Sequence, residues 1–64
     1  MALRFSADEV LEMAVELERR GIVFYENLSQ KTSDQKSKEI FIFLGEEEKK
    51  HLEYFRETKN DLNT

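Results

Sequence analysis

Three observations place this 64-residue chain in the all-α class, as an antiparallel helical hairpin that pairs with a second copy into a four-helix bundle. Proline is absent and glycine occurs twice, so little interrupts a composition rich in Glu, Lys, Leu and Ala. Apolar residues recur at helical spacing on both sides of one short polar stretch. The run Ile40-Phe41-Ile42-Phe43 sets four large apolar side chains around a whole helix circumference, more than one partner helix can cover. Such an apolar surplus marks an association interface. The size points the same way: a chain this short buries a small fraction of its surface when it folds alone, and with no cysteine it has no disulfide to staple it.

The first helix is predicted over 7–31. Ser6-Ala7-Asp8-Glu9 is a capping box, in which the Ser6 hydroxyl accepts from the Glu9 amide and the Glu9 side chain reaches back to the Ser6 amide. Val10, Ala14, Leu17, Gly21, Phe24 and Leu28 then recur at alternating spacings of four and three, joined on one flank by Leu11, Ile22 and Tyr25. The pattern ends in Gln30 to Gln35. A turn at 32–34 offers Ser33 and Asp34 as N-caps for a second helix over about 35–59, fraying near Asn60, with Ile40, Phe41, Leu44, Leu52 and Phe55 inward. A turn this short makes the helices antiparallel neighbours. The whole of 1–64 reads as one half-domain without internal repeats.

Fourteen Asp/Glu against ten Lys/Arg give a net charge of −4, which disfavours nucleic acid as a partner, since phosphate binding needs clustered Lys and Arg. The longest apolar run, Ile40 to Leu44, is far below the roughly 18 residues of a membrane span, and the N-terminus lacks a secretory apolar region. A cytoplasmic location is the expectation. The lack of cysteine fits a reducing compartment.

Most of the glutamates read as a solvated face. Glu16, with Glu12, Met13, Arg19 and Arg20 at its helical neighbours, is one of these. Glu18 is not: Ala14, Val15, Gly21 and Ile22 surround it, and it lies seven residues after Leu11 and seven before Tyr25, inside the apolar stripe. On the second helix Glu48 sits four residues after Leu44 and seven before Phe55, and His51 follows it by three on the same face. An unpaired carboxylate in such a stripe costs several kcal/mol or takes up a proton, whereas a cation keeps it ionised and satisfied, at about the scale expected for buried charge. Height along the hairpin brings these groups together. Glu18 lies fifteen residues before Ser33 and Glu48 fifteen after it. At about 1.5 Å per residue both stand roughly 22 Å from the turn. A slight rotation of the second helix turns Glu47 inward in place of Glu48, and spacing alone leaves that choice open. One hairpin thus supplies a Glu and a Glu-x-x-His. A two-fold axis doubles the set to four Glu and two His, the ligand set of di-iron carboxylate bundles. Oxygen and imidazole donors suit two Fe ions per dimer, with Mn or Zn as competitors.

The segments Ala14 to Tyr25 and Phe43 to Phe55 resemble the first helical hairpin of the rubrerythrin-like branch of the ferritin-like superfamily, over about residues 7–57. The resemblance implies Glu18 as first-helix metal ligand, Glu48 and His51 as the second-helix pair, and Tyr25 as a tyrosine near the metals. A typical member carries four helices in one chain, and rubrerythrin proper adds a cysteine-ligated iron domain for electron transfer. The plan here is closer to the two-helix encapsulated ferritins, with a ferroxidase centre assembled between subunits, and it implies a homodimer or higher homo-oligomer, with a compartment shell or a separate electron donor as further partners. No obvious cargo-docking tail follows Phe55.

Three functions share these residues: oxidation of Fe(II) by oxygen or peroxide, with peroxide reduction by a separate donor as its variant; a metal-stapled dimerisation module without catalysis; and a metal-free hairpin that binds other helices. The third has no use for level, inward-facing Glu18, Glu48 and His51. Taken singly, each residue also has a plainer role: Glu18 pairing with Arg19 or a partner's lysine, His51 as a boundary histidine, Tyr25 as core. Gly21 either permits close approach of the helices or is a tolerated glycine costing about 1 kcal/mol. A Glu46 to Lys50 pair is expected on the solvated face.

Overall fold

A computed structural model describes residues 4–63, so Met1 to Leu3 and Thr64 of the expected domain lie outside the described residues. Two helices make up the fold, α1 over Ala7–Lys31 and α2 over Gln35–Leu62. The capping box starts α1: the Glu9 amide donates to Ser6 Oγ and the Ser6 amide to Glu9 Oε1, both at 3.1 Å. Thr32 leaves the helix in extended backbone, its amide still donating to the Leu28 carbonyl at 3.0 Å.

Of the two candidate caps for α2, Asp34 is the one used. Its carboxylate accepts from both the Ser37 hydroxyl and the Ser37 amide, and these two bonds, the hydroxyl's first, hold the Asp34 carboxyl below its ordinary value. Because the folded value is the lower one, the cap stabilises the fold at pH values above the unfolded carboxyl's pKa. That contribution fades as pH falls through the folded value. Acid titration should therefore loosen the first turn of α2, read as an upfield shift of the Ser37 amide proton. In Asp34→Asn, which caps about as well but does not titrate, the step should be absent.

Helix α2 passes the Asn60 region where the sequence predicts fraying and continues to Leu62. Nothing after Phe55 breaks a helix, and the distal end is tied down: Asn63 donates to Asp8 at 3.1 Å, and Lys59 pairs with Asp8 at 3.9 Å and Glu12 at 3.2 Å. These contacts place the end of α2 beside the start of α1, so the hairpin is antiparallel.

The molecule measures 47 × 26 × 14 Å. Its smallest dimension is about that of one helix with its side chains, so the two helices form a single layer. A single layer has a seam but no interior. Leu11, Ala14, Val15, Ile22, Tyr25 and Leu28 meet Phe41, Leu44, Leu52 and Phe55 as half-buried side chains, and among the described residues no apolar side chain is fully buried. The broad α1 stripe expected from sequence is divided here. Val10, Leu17 and Phe24 stay exposed, and so does Ile40 of α2, which is therefore not an inward residue of the hairpin.

Most of the exposed apolar residues share one side, Val23 and Ile42 being exceptions. At about 100° per residue, Val10, Met13, Leu17 and Phe24 lie on the flank of α1 that carries Gly21, and Ile40, Phe43 and Tyr54 on the flank of α2 that carries His51. Both flanks are reached from the seam by turning against the helix's own rotation, and in an antiparallel pair that turn leads to the same side. Interhelical ion pairs occupy the other side, Lys49 with Glu26 at 3.8 Å and Lys59 with Glu12. Exposed pairs like these contribute at most about 1 kcal/mol each, but they mark the solvent-facing side. No helix among the described residues is long and apolar enough to cross a membrane.

Candidate metal centre

Glu18, Glu48 and His51 converge. One ligand atom from each lies within 4.8 Å of the others, at mid-height of the hairpin. The register that produces this is set at the turn: with Thr32, Ser33 and Asp34 outside the helices, Glu18 and Glu48 stand level, and the i,i+3 relation puts His51 on the face of Glu48. Glu48, not Glu47, turns toward α1. Its carboxylate lies against Gly21, while Glu47 pairs with Lys50 at 3.3 Å.

The surroundings differ from one member of the trio to the next. The Glu18 side chain is 18% exposed, and that of His51 is 54% exposed on the apolar side of the hairpin. Glu18 Oε2 is shielded from solvent and accepts no hydrogen bond. Its nearest cationic candidate is His51 Nδ1 at 3.7 Å, too far for a hydrogen bond. A shielded acceptor left without a partner costs about 1–3 kcal/mol, more if it is charged, and calls for an ion or a water.

The donor set fits a hard or borderline divalent cation: two carboxylates and one imidazole, with no thiol in the chain. An ion held by such donors sits about 2.0–2.2 Å from each, which requires ligand atoms within roughly 4.4 Å of one another. The observed spread of 4.8 Å is only slightly wider than that.

Tyr25 lies elsewhere in the seam. It stands against Gly45, where an added Cβ would meet Tyr25 Cβ at 3.5 Å, and its ring meets Phe24 edge to face at 5.4 Å. Among the described residues its hydroxyl has no hydrogen bond to Glu18, Glu48 or His51. The ion pairs also depart from expectation. Glu46 pairs with Lys49 at 3.3 Å instead of Lys50, because Glu47 takes Lys50. Sequence spacing gave no sign of the long-range bonds of Lys49 and Lys59, since which lysine crosses to α1 depends on the relative rotation of the helices.

Comparison with the curated proteins and with the solved structures returned no match. The family model described as Rubrerythrin matches residues 9–64, a span that takes in both helices and all three convergent side chains. With a two-helix fold and a match over most of its length, the chain belongs to the rubrerythrin family, within the ferritin-like superfamily.

Proposed function

We propose that two copies of this chain pair through their apolar sides to form a four-helix bundle, and that the bundle holds a di-iron carboxylate centre of ferroxidase type. The unpartnered Glu18 Oε2, level with Glu48 and His51, is the observation that carries this reading. Surface area supports the pairing. A folded protein of 7.6 kDa exposes roughly 4,300 Å². This chain exposes 5346 Å². The surplus, on the order of 1,000 Å², is near the roughly 800 Å² that each partner contributes to a standard interface.

Charge supports the stoichiometry. Doubling the trio about a two-fold axis brings together four carboxylates and two imidazoles, and four negative charges balance two divalent ions. In this arrangement Glu18 and Glu48 supply anionic oxygen, and His51 supplies a neutral donor from the α2 flank. The apolar residues of both copies exclude water around the ligands, which strengthens their hold on the ions. Two Fe(II) ions bound as substrate give up one electron each, enough with two protons to reduce dioxygen to hydrogen peroxide, or hydrogen peroxide to two waters. Peroxide reduction with a separate electron donor uses the same ligands. Tyr25, seven residues and about two helical turns beyond Glu18, is proposed to support the site through its packing against Gly45.

A structural role is favoured by a separate observation. Because no apolar side chain of the single layer is fully buried among the described residues, any ion shared between copies contributes directly to folding. Light scattering with elemental analysis, before and after chelation, tests the assembly: a dimer or multiple of it with about two metals per pair is expected. A metal-free monomer unmoved by Fe(II) would refute it. Fe(II)-dependent oxygen consumption then separates catalyst from staple.

A further inference from the structure

Gly21 sits in the middle of α1, where glycine weakens a helix relative to alanine. No glycine among the described residues has a positive φ, so the backbone gives no reason for its presence. Space does. A Cβ built on Gly21 would lie 3.1 Å from Glu48 Oε2, 3.4 Å from its carboxyl carbon and 3.5 Å from Cγ. The room that a side chain would take on α1 is filled by the end of the Glu48 carboxylate from α2. Gly45, the other glycine, differs: a Cβ there meets only Tyr25 Cβ, at an ordinary 3.5 Å.

Gly21 is also one turn from Glu18, on the flank that faces the open side. Any atom added there stands between the two carboxylates' helices at the height where they converge. We infer that Gly21 is a positioning residue for the metal centre: its missing side chain is the recess that lets the Glu48 carboxylate lie across α1 and reach the oxygen of Glu18. This rests on the metal-centre reading of Glu18, Glu48 and His51. It adds that the recess sets how far Glu48 extends over the site. An alanine displaces the carboxylate by a few tenths of an ångström or turns it to another rotamer, away from the position it shares with the other ligands.

The consequence is a substitution with opposite effects on helix and site. Gly21→Ala improves helix propensity and impairs ligand placement. In the full chain, Mn(II) titration monitored by the paramagnetic resonance of free Mn(II) should show Gly21→Ala binding about tenfold or more weakly than the wild type, at the scale of losing a group that orients a ligand. Helicity at 222 nm without metal should be unchanged or higher. A second comparison needs no metal. In a Glu48→Ala background the recess is empty, so Gly21→Ala should raise the metal-free thermal midpoint by more than it does with Glu48 present. Mn(II) binding within twofold of wild type, or an equal midpoint gain in both backgrounds, would overturn the assignment while leaving the metal centre standing. A wild type that binds no Mn(II) or Fe(II) at all would instead sink the metal-centre reading, and this inference with it.

Discussion

Glu18→Ala is expected to weaken metal binding by at least about a hundredfold, beyond the 10–100-fold typical for losing an outer partner of a ligand. Fe(II)-dependent oxygen consumption should fall with it. In a two-fold bundle the change removes two carboxylates at once, leaving two negative charges against two divalent ions. The metal-free variant should nevertheless be at least as stable as metal-free wild type. Alanine is the better helix former, and the substitution removes a shielded oxygen that has no hydrogen-bond donor. A gain of about 1 kcal/mol would raise the midpoint by roughly 4–8 °C in a chain of this size. Glu18→Gln separates charge from volume, since the amide keeps the shape and loses the anion. Metal titration alongside thermal melting of the chelated proteins checks both halves. Oxygen consumption equal to wild type would remove Glu18 from the site and the ferroxidase proposal with it.

Leu17→Glu and Phe43→Glu should each convert the assembly to monomer at micromolar concentration. Leu17 is 67% exposed and Phe43 60% exposed in the single hairpin, one on each helix of the apolar side. Burying such a side chain is worth about 1.5–3 kcal/mol, and two-fold symmetry counts each substitution twice. At about 1.4 kcal/mol per factor of ten, the dimer dissociation constant should rise by at least a hundredfold, before any cost of burying the new charge. Metal binding should weaken in parallel, because a lone hairpin offers three ligands. Val23→Glu is the control. Val23 is 55% exposed, yet its neighbours at three and four residues are Arg19, Arg20, Glu26 and Asn27, so it belongs to the polar side. Sedimentation or light scattering should place Val23→Glu within twofold of wild type. Leu17→Glu and Phe43→Glu both remaining dimeric would move the interface elsewhere.

Some elements were readable because they depend on local chemistry. The Ser6 to Glu9 capping box forms as its spacing predicts, since both of its hydrogen bonds lie within one turn. The choice between Ser33 and Asp34 was not readable. Both are good caps, and Asp34 takes the role through a second acceptor contact, with the Ser37 hydroxyl. Local sequence predicts fraying near Asn60, short of the observed end at Leu62, for a related reason: the residues that hold this end, Asp8 and Glu12, are distant in sequence. Periodicity predicts Ile40 to face inward, yet it is exposed. Periodicity measures the width of an apolar stripe but not the direction in which the neighbouring helix lies. Here the stripe serves two directions, and the hairpin takes the part centred on Glu18 and Glu48.

By itself, then, the sequence determined a two-helix hairpin, the level at which Glu18 and Glu48 stand and the placing of His51 with Glu48, because caps, rise per residue and an i,i+3 spacing are properties of a chain and its turn. Tertiary structure decided what depends on rotation about the helix axes and the distance between them. It turned Glu48 toward α1 and left Glu47 to Lys50, set Tyr25 against Gly45, gathered Leu17, Phe24, Ile40 and Phe43 on one open side, and filled the recess at Gly21 with a carboxylate.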